Sequence, residues 1–196
     1  MGDLVVTEFV SMDGVMQAPG GEDFKYEGWT FDYDRGDDGN KFKLDEVAGA
    51  AAHLLGRVTY ESFAGAWPER EKAGGEEAEF AKLLGDTPKY LVSSTIKDPE
   101  WRNTTVIDGS GDVPAEIAKL KDSIDGNILL AGSRRLVQTL LDHDLVDEVR
   151  LMVFPTVLGT GDRVFGEHPG RTDWTLEESN PVGTDGVLTL VYRRKR

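Results

Sequence analysis

The sequence predicts an α/β fold: a central, mainly parallel mixed sheet flanked by helices, with an antiparallel hairpin at its C-terminal end. Three observations predict it. Short β-type apolar runs alternate with runs at helical spacing through about residue 145. Consecutive strand-like runs then follow, the last two joined across Asp185-Gly186. Two of the apolar runs, ending at Leu55 and Ala131, break at a glycine directly into helical periodicity.

Leu4–Ser11 reads as the first strand and runs into a turn at Asp13-Gly14. Pro19–Asn40 reads as a long loop carrying Phe24, Tyr26, Trp29, Phe31 and Tyr33, a length that usually marks a functional segment. Leu44, Val47, Ala48, Ala51, Leu54 and Leu55 fall on one helical face, although Leu54-Leu55 can equally begin a buried strand. In the second case Gly56-Arg57 is a strand-to-helix turn with Thr59 near the helix start. Ala66-Trp67-Pro68 ends that element, and Phe80, Leu83 and Leu84 mark a short amphipathic helix stopped by Gly85. Lys89–Ser94 is a strand ending in three hydroxyl residues, Ser93, Ser94 and Thr95, which serve either turn formation or ligand binding. Thr104–Ile107 is a further strand, and Asp112-Val113-Pro114 starts a helix. Ile128–Ala131, the turn Gly132-Ser133 and the stripe Leu136, Val137, Leu140, Leu141 form a second strand–turn–helix. Leu145–Phe154 alternates as a strand, Pro155–Gly166 is a glycine-rich loop, and Trp174–Glu178 and Val187–Arg193 complete the sheet.

The 196 residues contain no internal repeat or linker, so one domain over 1–196 is expected. No cysteine is present, which excludes disulfides, thiolate ligands and cysteine nucleophiles. His53, His143 and His168 are scattered without ligand spacing, so no metal site is expected. No leader-like segment or run of the roughly 20 apolar residues needed to span a bilayer occurs, and a cytoplasmic location is expected. A net charge of −14 disfavours nucleic acid and anionic membranes as partners. A phosphorylated ligand would then need locally gathered positive charge. The turns at Gly56-Arg57 and at Gly132-Ser133-Arg134-Arg135 can supply it, because a helix start presents free N–H groups and the positive end of the dipole. Read alone, either turn is also an ordinary strand–helix junction with solvated arginines. In such sheets ligands sit beyond the C-terminal strand ends, where the turns at Gly56, Ser93 and Gly132 would gather.

Five stretches in order resemble the dihydrofolate reductase-like fold, in the branch of the riboflavin-biosynthesis deaminase/reductase C-terminal (reductase) domain. They are F-V-S-M-D-G-V-M at Phe9–Met16, L-L-G-R-V-T-Y-E-S-F at Leu54–Phe63, L-V-S-S-T at Leu91–Thr95, I-L-L-A-G-S at Ile128–Ser133, and L-V-D-E-V-R-L with P-T-V-L-G-T-G between Leu145 and Gly161. The resemblance implies NADPH as cofactor and hydride transfer to a small pyrimidine- or pterin-type heterocycle, such as 5-amino-6-(5-phosphoribosylamino)uracil. It implies that Gly56, Arg57 and Thr59 hold the pyrophosphate and 2′-phosphate side and that Ser93, Ser94 and Thr95 border the adenosine. Gly132, Ser133, Arg134 and Arg135 would close over the pyrophosphate, and Val10, Val15 and Met16 would line the nicotinamide. It also implies a homodimer. Two departures stand out: Gly132-Ser133 replaces the family's frequent Gly-Gly, and the carboxylate of true dihydrofolate reductases has no unambiguous counterpart among Asp32, Asp34, Asp37, Asp38 and Asp45. For the proton that a reduction requires, Asp13 is the first candidate and Asp32 or Asp34 the second. Phe24, Trp29 and Phe31 could stack on a planar substrate. A nucleotide-, flavin- or deazaflavin-binding protein without turnover is the alternative.

Overall fold

A computed structural model describes residues 1–20, 23–166 and 170–196. His168 therefore lies outside the described residues, as do two positions of the aromatic loop. The strands are β1 (Leu4–Ser11), β2 (Ala50–Gly56), β3 (Lys89–Ser93), β4 (Thr104–Asp108), β5 (Asn127–Ala131), β6 (Glu148–Phe154), β7 (Trp174–Val182) and β8 (Val187–Arg194). The helices are α1 (Gly36–Ala48), α2 (Arg57–Ala73), α3 (Ala78–Asp86), α4 (Val113–Ser123) and α5 (Arg134–Asp142). All eight strands form one sheet in the order β4-β3-β2-β5-β1-β6-β8-β7. The first six are parallel, and β8 joins antiparallel to β6 and to β7, giving the mixed sheet with a C-terminal hairpin that the sequence predicts.

Helices on both faces explain why the central strands are apolar on both sides. Val5 and Val6 are adjacent in β1 and both fully buried, one in each of the two larger cores. The α5 stripe Leu136, Val137, Leu140 and Leu141 is buried as its spacing predicts. Asp112 caps α4 by accepting a bond from the Ala115 N–H at 3.1 Å.

Several element boundaries differ from the sequence reading: β6 begins at Glu148 and β7 runs on to Val182. Helix α1 begins at Gly36, inside the segment read as loop, where Asp37 and Asp38 suit the positive end of the helix dipole. Trp29–Asp32 adds a 3₁₀ turn to the same segment. Ala51, Leu54 and Leu55 do not extend that helix. They belong to β2, which is inserted between β3 and β5, and only those non-local pairings separate a short buried strand from a helix end. Pro68 does not end α2, which continues to Ala73. Trp67 packs against Phe63 and Phe80, with centroids 6.1 and 4.9 Å apart, and holds the helix across the missing N–H.

Strand β1 is the pivot of the site. It pairs with β6 along Val5–Ser11 but with β5 only along Leu4–Thr7, because β5 ends at Ala131. Beyond Thr7 β1 and β5 no longer pair, and the sheet splits there.

His53 on β2 is buried, and its Nε2 has no hydrogen-bond partner. Burial, and then the nearby Lys89 ammonium, push its pKa down to about 4 from 6.5. Between those values the unfolded chain binds a proton that the folded chain refuses, so stability falls as pH drops through the window. The loss attributable to His53 reaches at most about 3 kcal/mol. Urea unfolding at pH 7 and pH 4.5 should show this share of the decline in the wild type and its disappearance in His53→Leu.

Candidate functional site

Two strand-to-helix turns, β2→α2 and β5→α5, meet at the C-terminal edge of the sheet. The Gly56 N–H donates to Ser133 Oγ at 2.8 Å, and the Ser133 N–H donates to Thr59 Oγ1 at 2.9 Å. The Ser133 hydroxyl is also 3.1 Å from Thr59 Oγ1. Glycine is required at 132: its φ is +59°, and a Cβ there would lie 2.7 Å from Thr59 Oγ1. Ser133 also adopts the left-handed region, at φ +58°. That conformation turns its hydroxyl away from its own helix and toward the other turn. Helix α5 therefore has no side-chain cap, and α2, whose N-cap residue is Gly56, has none either. Neither has an acidic residue in its first turn, whereas α1, α3 and α4 all do. Two uncapped helix starts that face one another, with arginines at 57, 134 and 135, are an anion-binding arrangement.

The arginines differ in setting. Arg57 is half-exposed and paired with Glu61 at 2.7 Å. Arg134 lies 3.3 Å from Asp162 in the loop after β6, and its Nε is buried without a partner. Arg135 borders a cavity of about 360 Å³ together with Gly56, Val92, Gly109, Gly111 and Val113, at the ends of β2, β3 and β4. Ser93 does not point a free hydroxyl into this space. Its Oγ accepts from the Thr95 and Ile96 N–H groups at 3.2 and 3.0 Å and so shapes the turn. Ser94 and Thr95 are exposed at the same edge.

The connection after β1 is laced to the loop after β6. Met12 N–H donates to the Thr156 carbonyl at 2.8 Å, Met16 N–H to Asp162 at 2.8 Å, and Val164 N–H to Gly14 at 3.1 Å. Gly161, at φ +112°, lets the two segments touch, since a Cβ would lie 2.7 Å from Val15 Cγ1. Asp13 is the knot. Its carboxylate accepts from Ser11 Oγ at 2.6 Å, from Leu158 N–H at 3.1 Å and from Gly159 N–H at 2.9 Å, and faces the Arg163 guanidinium at 3.3 Å. The Ser11 hydroxyl and the two amides hold its pKa down at about 2. The expectation that Asp13 donates a proton is therefore corrected: a carboxylate so firmly ionised holds loops in place and carries no proton at neutral pH.

Val10, Val15 and Met16 are buried within this laced region, with Val10 and Met16 packed in the same core as Leu136 and Val164. Asp32 is exposed and borders a separate depression of about 290 Å³, with Trp29, Tyr33, Thr156 and Leu158. Trp29 is not available for stacking. It is buried edge-on to Phe154 at 5.4 Å, and its Nε1–H donates to the Gln17 carbonyl at 2.9 Å. Phe24 packs on Tyr26, and Phe31 alone of the three is largely exposed.

One cluster was missed from sequence. Glu46 of α1 is buried, and its Oε2 accepts from Thr7 Oγ1 at 2.8 Å and pairs with Lys43 Nζ at 2.6 Å. The signal available was a glutamate beside Val47 on the inward helix face, which looks the same as a solvated charge until the partner strand is known. Among the described residues, no group of three or more His, Cys, Asp or Glu side chains could hold a metal ion, and no helix is long and apolar enough to cross a membrane.

If Asp13 fastens the two loops, Asp13→Ala should leave the Leu158 and Gly159 amides unpaired. Their hydrogen exchange should quicken about tenfold or more, corresponding to about 1–2 kcal/mol of local opening, while β5 amides keep their protection.

A model of the RibD C-terminal domain family matches residues 3–188. YyaP of Bacillus subtilis (strain 168) is 27% identical over 183 residues, covering 93% of this chain and 90% of that protein. Among solved structures, a protein assigned by name to riboflavin biosynthesis from Shewanella sp. PV-4 superposes with TM-score 0.75 at 20% identity, over 99% of each chain. Dihydrofolate reductase from Enterococcus faecalis, solved with NADP(H), gives 0.62 at 15% identity, over 99% of this chain and 97% of that one. A pyrimidine reductase-like protein from Corynebacterium diphtheriae gives 0.63 at 14% identity, over 99% and 92%. The structural likeness shows a dihydrofolate reductase-like fold. The match that runs from residue 3 to residue 188 shows that this chain belongs to the RibD C-terminal domain family.

Proposed function

We propose that the protein is an NADPH-dependent reductase that delivers hydride to a small planar heterocycle of the pyrimidine or pterin type, 5-amino-6-(5-phosphoribosylamino)uracil being the first substrate to try. The observation that carries the reading is the pair of facing, uncapped helix starts joined through Gly56, Ser133 and Thr59, acid-free in a chain of net charge −14. The family membership supports it, as does the Enterococcus faecalis neighbour, which was solved with NADP(H).

The residues present fit such a cofactor. The free amides of the α2 and α5 starts suit a pyrophosphate, and Gly132 leaves its backbone bare. Arg134 Nε, buried without a partner, suits a phosphate oxygen. The cavity bordered by Val92, Gly109, Val113 and Arg135 suits an adenosine. Arg57, with exposed Ser94 and Thr95, lies where a 2′-phosphate would need charge and hydroxyls. Val10, Val15 and Met16 are nearly fully buried, so they would back a nicotinamide site from beneath rather than offer surface to the ring, as the resemblance implies. When bound, the cofactor supplies the hydride, while the protein supplies position and electrostatics.

A homodimer through the C-terminal strands belongs to the same reading. Strand β7 is the outer edge of the sheet and is exposed along most of its length, Leu176 included. Sedimentation should give about twice the 21.6 kDa chain mass, and a monomer would refute the pairing.

Calorimetric titration with NADPH should give 1:1 binding that Arg57→Ala weakens about tenfold, or about 1.4 kcal/mol, and that added salt weakens further. Absence of binding would remove the reading. Binding without NADPH oxidation across aminouracils and pterins would leave a nucleotide-binding protein, and a yellow purified protein would point to flavin.

A further inference from the structure

Strand β1 has a charged cluster on the face covered by α1, at the point where the sheet splits. Thr7 is the last β1 residue paired with β5, opposite Ala131. Its hydroxyl lies 2.6 Å from Lys43 Nζ and 2.8 Å from Glu46 Oε2. Lys43 pairs with Glu46 at 2.6 Å, the glutamate side chain only 2% exposed and the lysine 15%. The ammonium is thus the outer end of a buried triad.

The next side chain on the same face of β1 is Phe9, which lies beyond the β1–β5 pairing. Lys43 Nζ stands 5.0 Å from its ring centroid, and the Arg35 guanidinium 5.3 Å. The charged groups around Lys43 are few. Glu46 lies on its own helix, Arg35 is at the start of that helix, and Arg150 is the β6 residue opposite Thr7, itself paired with Glu148 at 2.6 Å. Burying a lysine–glutamate pair is expensive and adds little stability beyond what apolar residues would supply. Its position beside the split gives it another use.

We propose that Lys43 is the proton donor of the reduction, and that Glu46 and Thr7 are positioning residues that aim its ammonium at the substrate over Phe9. The proposal rests on the reductase reading. Hydride from the nicotinamide cofactor adds to an unsaturated carbon of a C=N or C=O group and breaks its π bond. The electron pair moves to the nitrogen or oxygen. An N–H bond of Lys43 breaks as the new heteroatom–H bond forms, and the neutral amine takes a proton back from water at its solvent-facing end. Two cations beside a half-buried ring also favour a substrate that is planar and carries carbonyl or anionic groups. Asp13 and Asp32 are not needed in this scheme.

The test uses the full chain with NADPH and 5-amino-6-(5-phosphoribosylamino)uracil or 7,8-dihydrofolate. Lys43→Arg keeps the charge but holds its proton too firmly to give it up. Turnover should fall at least 100-fold in Lys43→Arg and in Lys43→Met, with NADPH affinity within twofold of wild type. Glu46→Gln should lower kcat about tenfold or more while KM for the uracil changes less than about threefold, a split that a purely structural glutamate would not give. Independently of turnover, calorimetry with NADP⁺ present should show the uracil binding at least tenfold more weakly to Lys43→Met. Because Lys43→Met leaves Glu46 without its partner, Lys43→Met/Glu46→Gln is measured beside it and should be equally inactive while melting near wild type. Wild-type turnover and uracil binding in these variants would overturn the proposal and leave the reductase reading intact. Failure of the wild type to bind NADPH or to oxidise it with either substrate would overturn both.

Discussion

The site depends on one clasp between two turns that are far apart in sequence. Ser133, held in the left-handed region, accepts the Gly56 N–H on its hydroxyl oxygen and donates its own N–H to the Thr59 hydroxyl. Each of these bonds would ordinarily serve as a cap within its own helix. Sent across instead, they fix α2 and α5 to each other and leave both helix starts bare. Gly132 makes the approach possible, because any side chain there would meet Thr59.

Charge is distributed to match. The molecule carries 36 acidic against 22 basic lysine and arginine residues, yet the first turns of α2 and α5 contain no acid. Two acids beside these turns are already partnered with an arginine: Glu61 with Arg57 and Asp162 with Arg134. Exposed pairs of this kind are weak, so an incoming phosphate can displace the carboxylate at little cost. Repulsion by the surrounding acid would then confine anion binding to this one edge.

The second organising feature is the early end of β5. The β1–β5 pairing stops at Thr7 while β1 continues along β6 to Ser11, and the loops after β1 and β6 are stitched together there. Asp13 serves that stitching. The ionised carboxylate that accepts two amides and a hydroxyl is the same group that sequence reasoning favours for chemistry, because an Asp-Gly turn reads alike in both roles. The triad of Thr7, Glu46 and Lys43 sits on the α1 side of the same strand, so β1 supplies both the loop anchor and the charged wall.

The sequence by itself determined the α/β class, most strand and helix positions, and the two Gly-plus-Arg turns, because each is written in local periodicity and turn chemistry. It also predicted the buried stripe of α5 residue by residue. It left β2 open between helix end and strand, since four buried residues between a helix and a glycine are ambiguous until β3 and β5 flank them. It could not separate Ser93, whose hydroxyl closes its own turn, from Ser133, whose hydroxyl crosses 77 positions to another. Nor could it find Lys43 and Glu46. A charged pair at i, i+3 on a helix is a solvated face in most proteins, and here it is buried against Thr7 because α1 lies on β1. Only the tertiary fold decided these roles, because a side chain's partner, and so its protonation and its use, is set by which distant strand or helix stands opposite it.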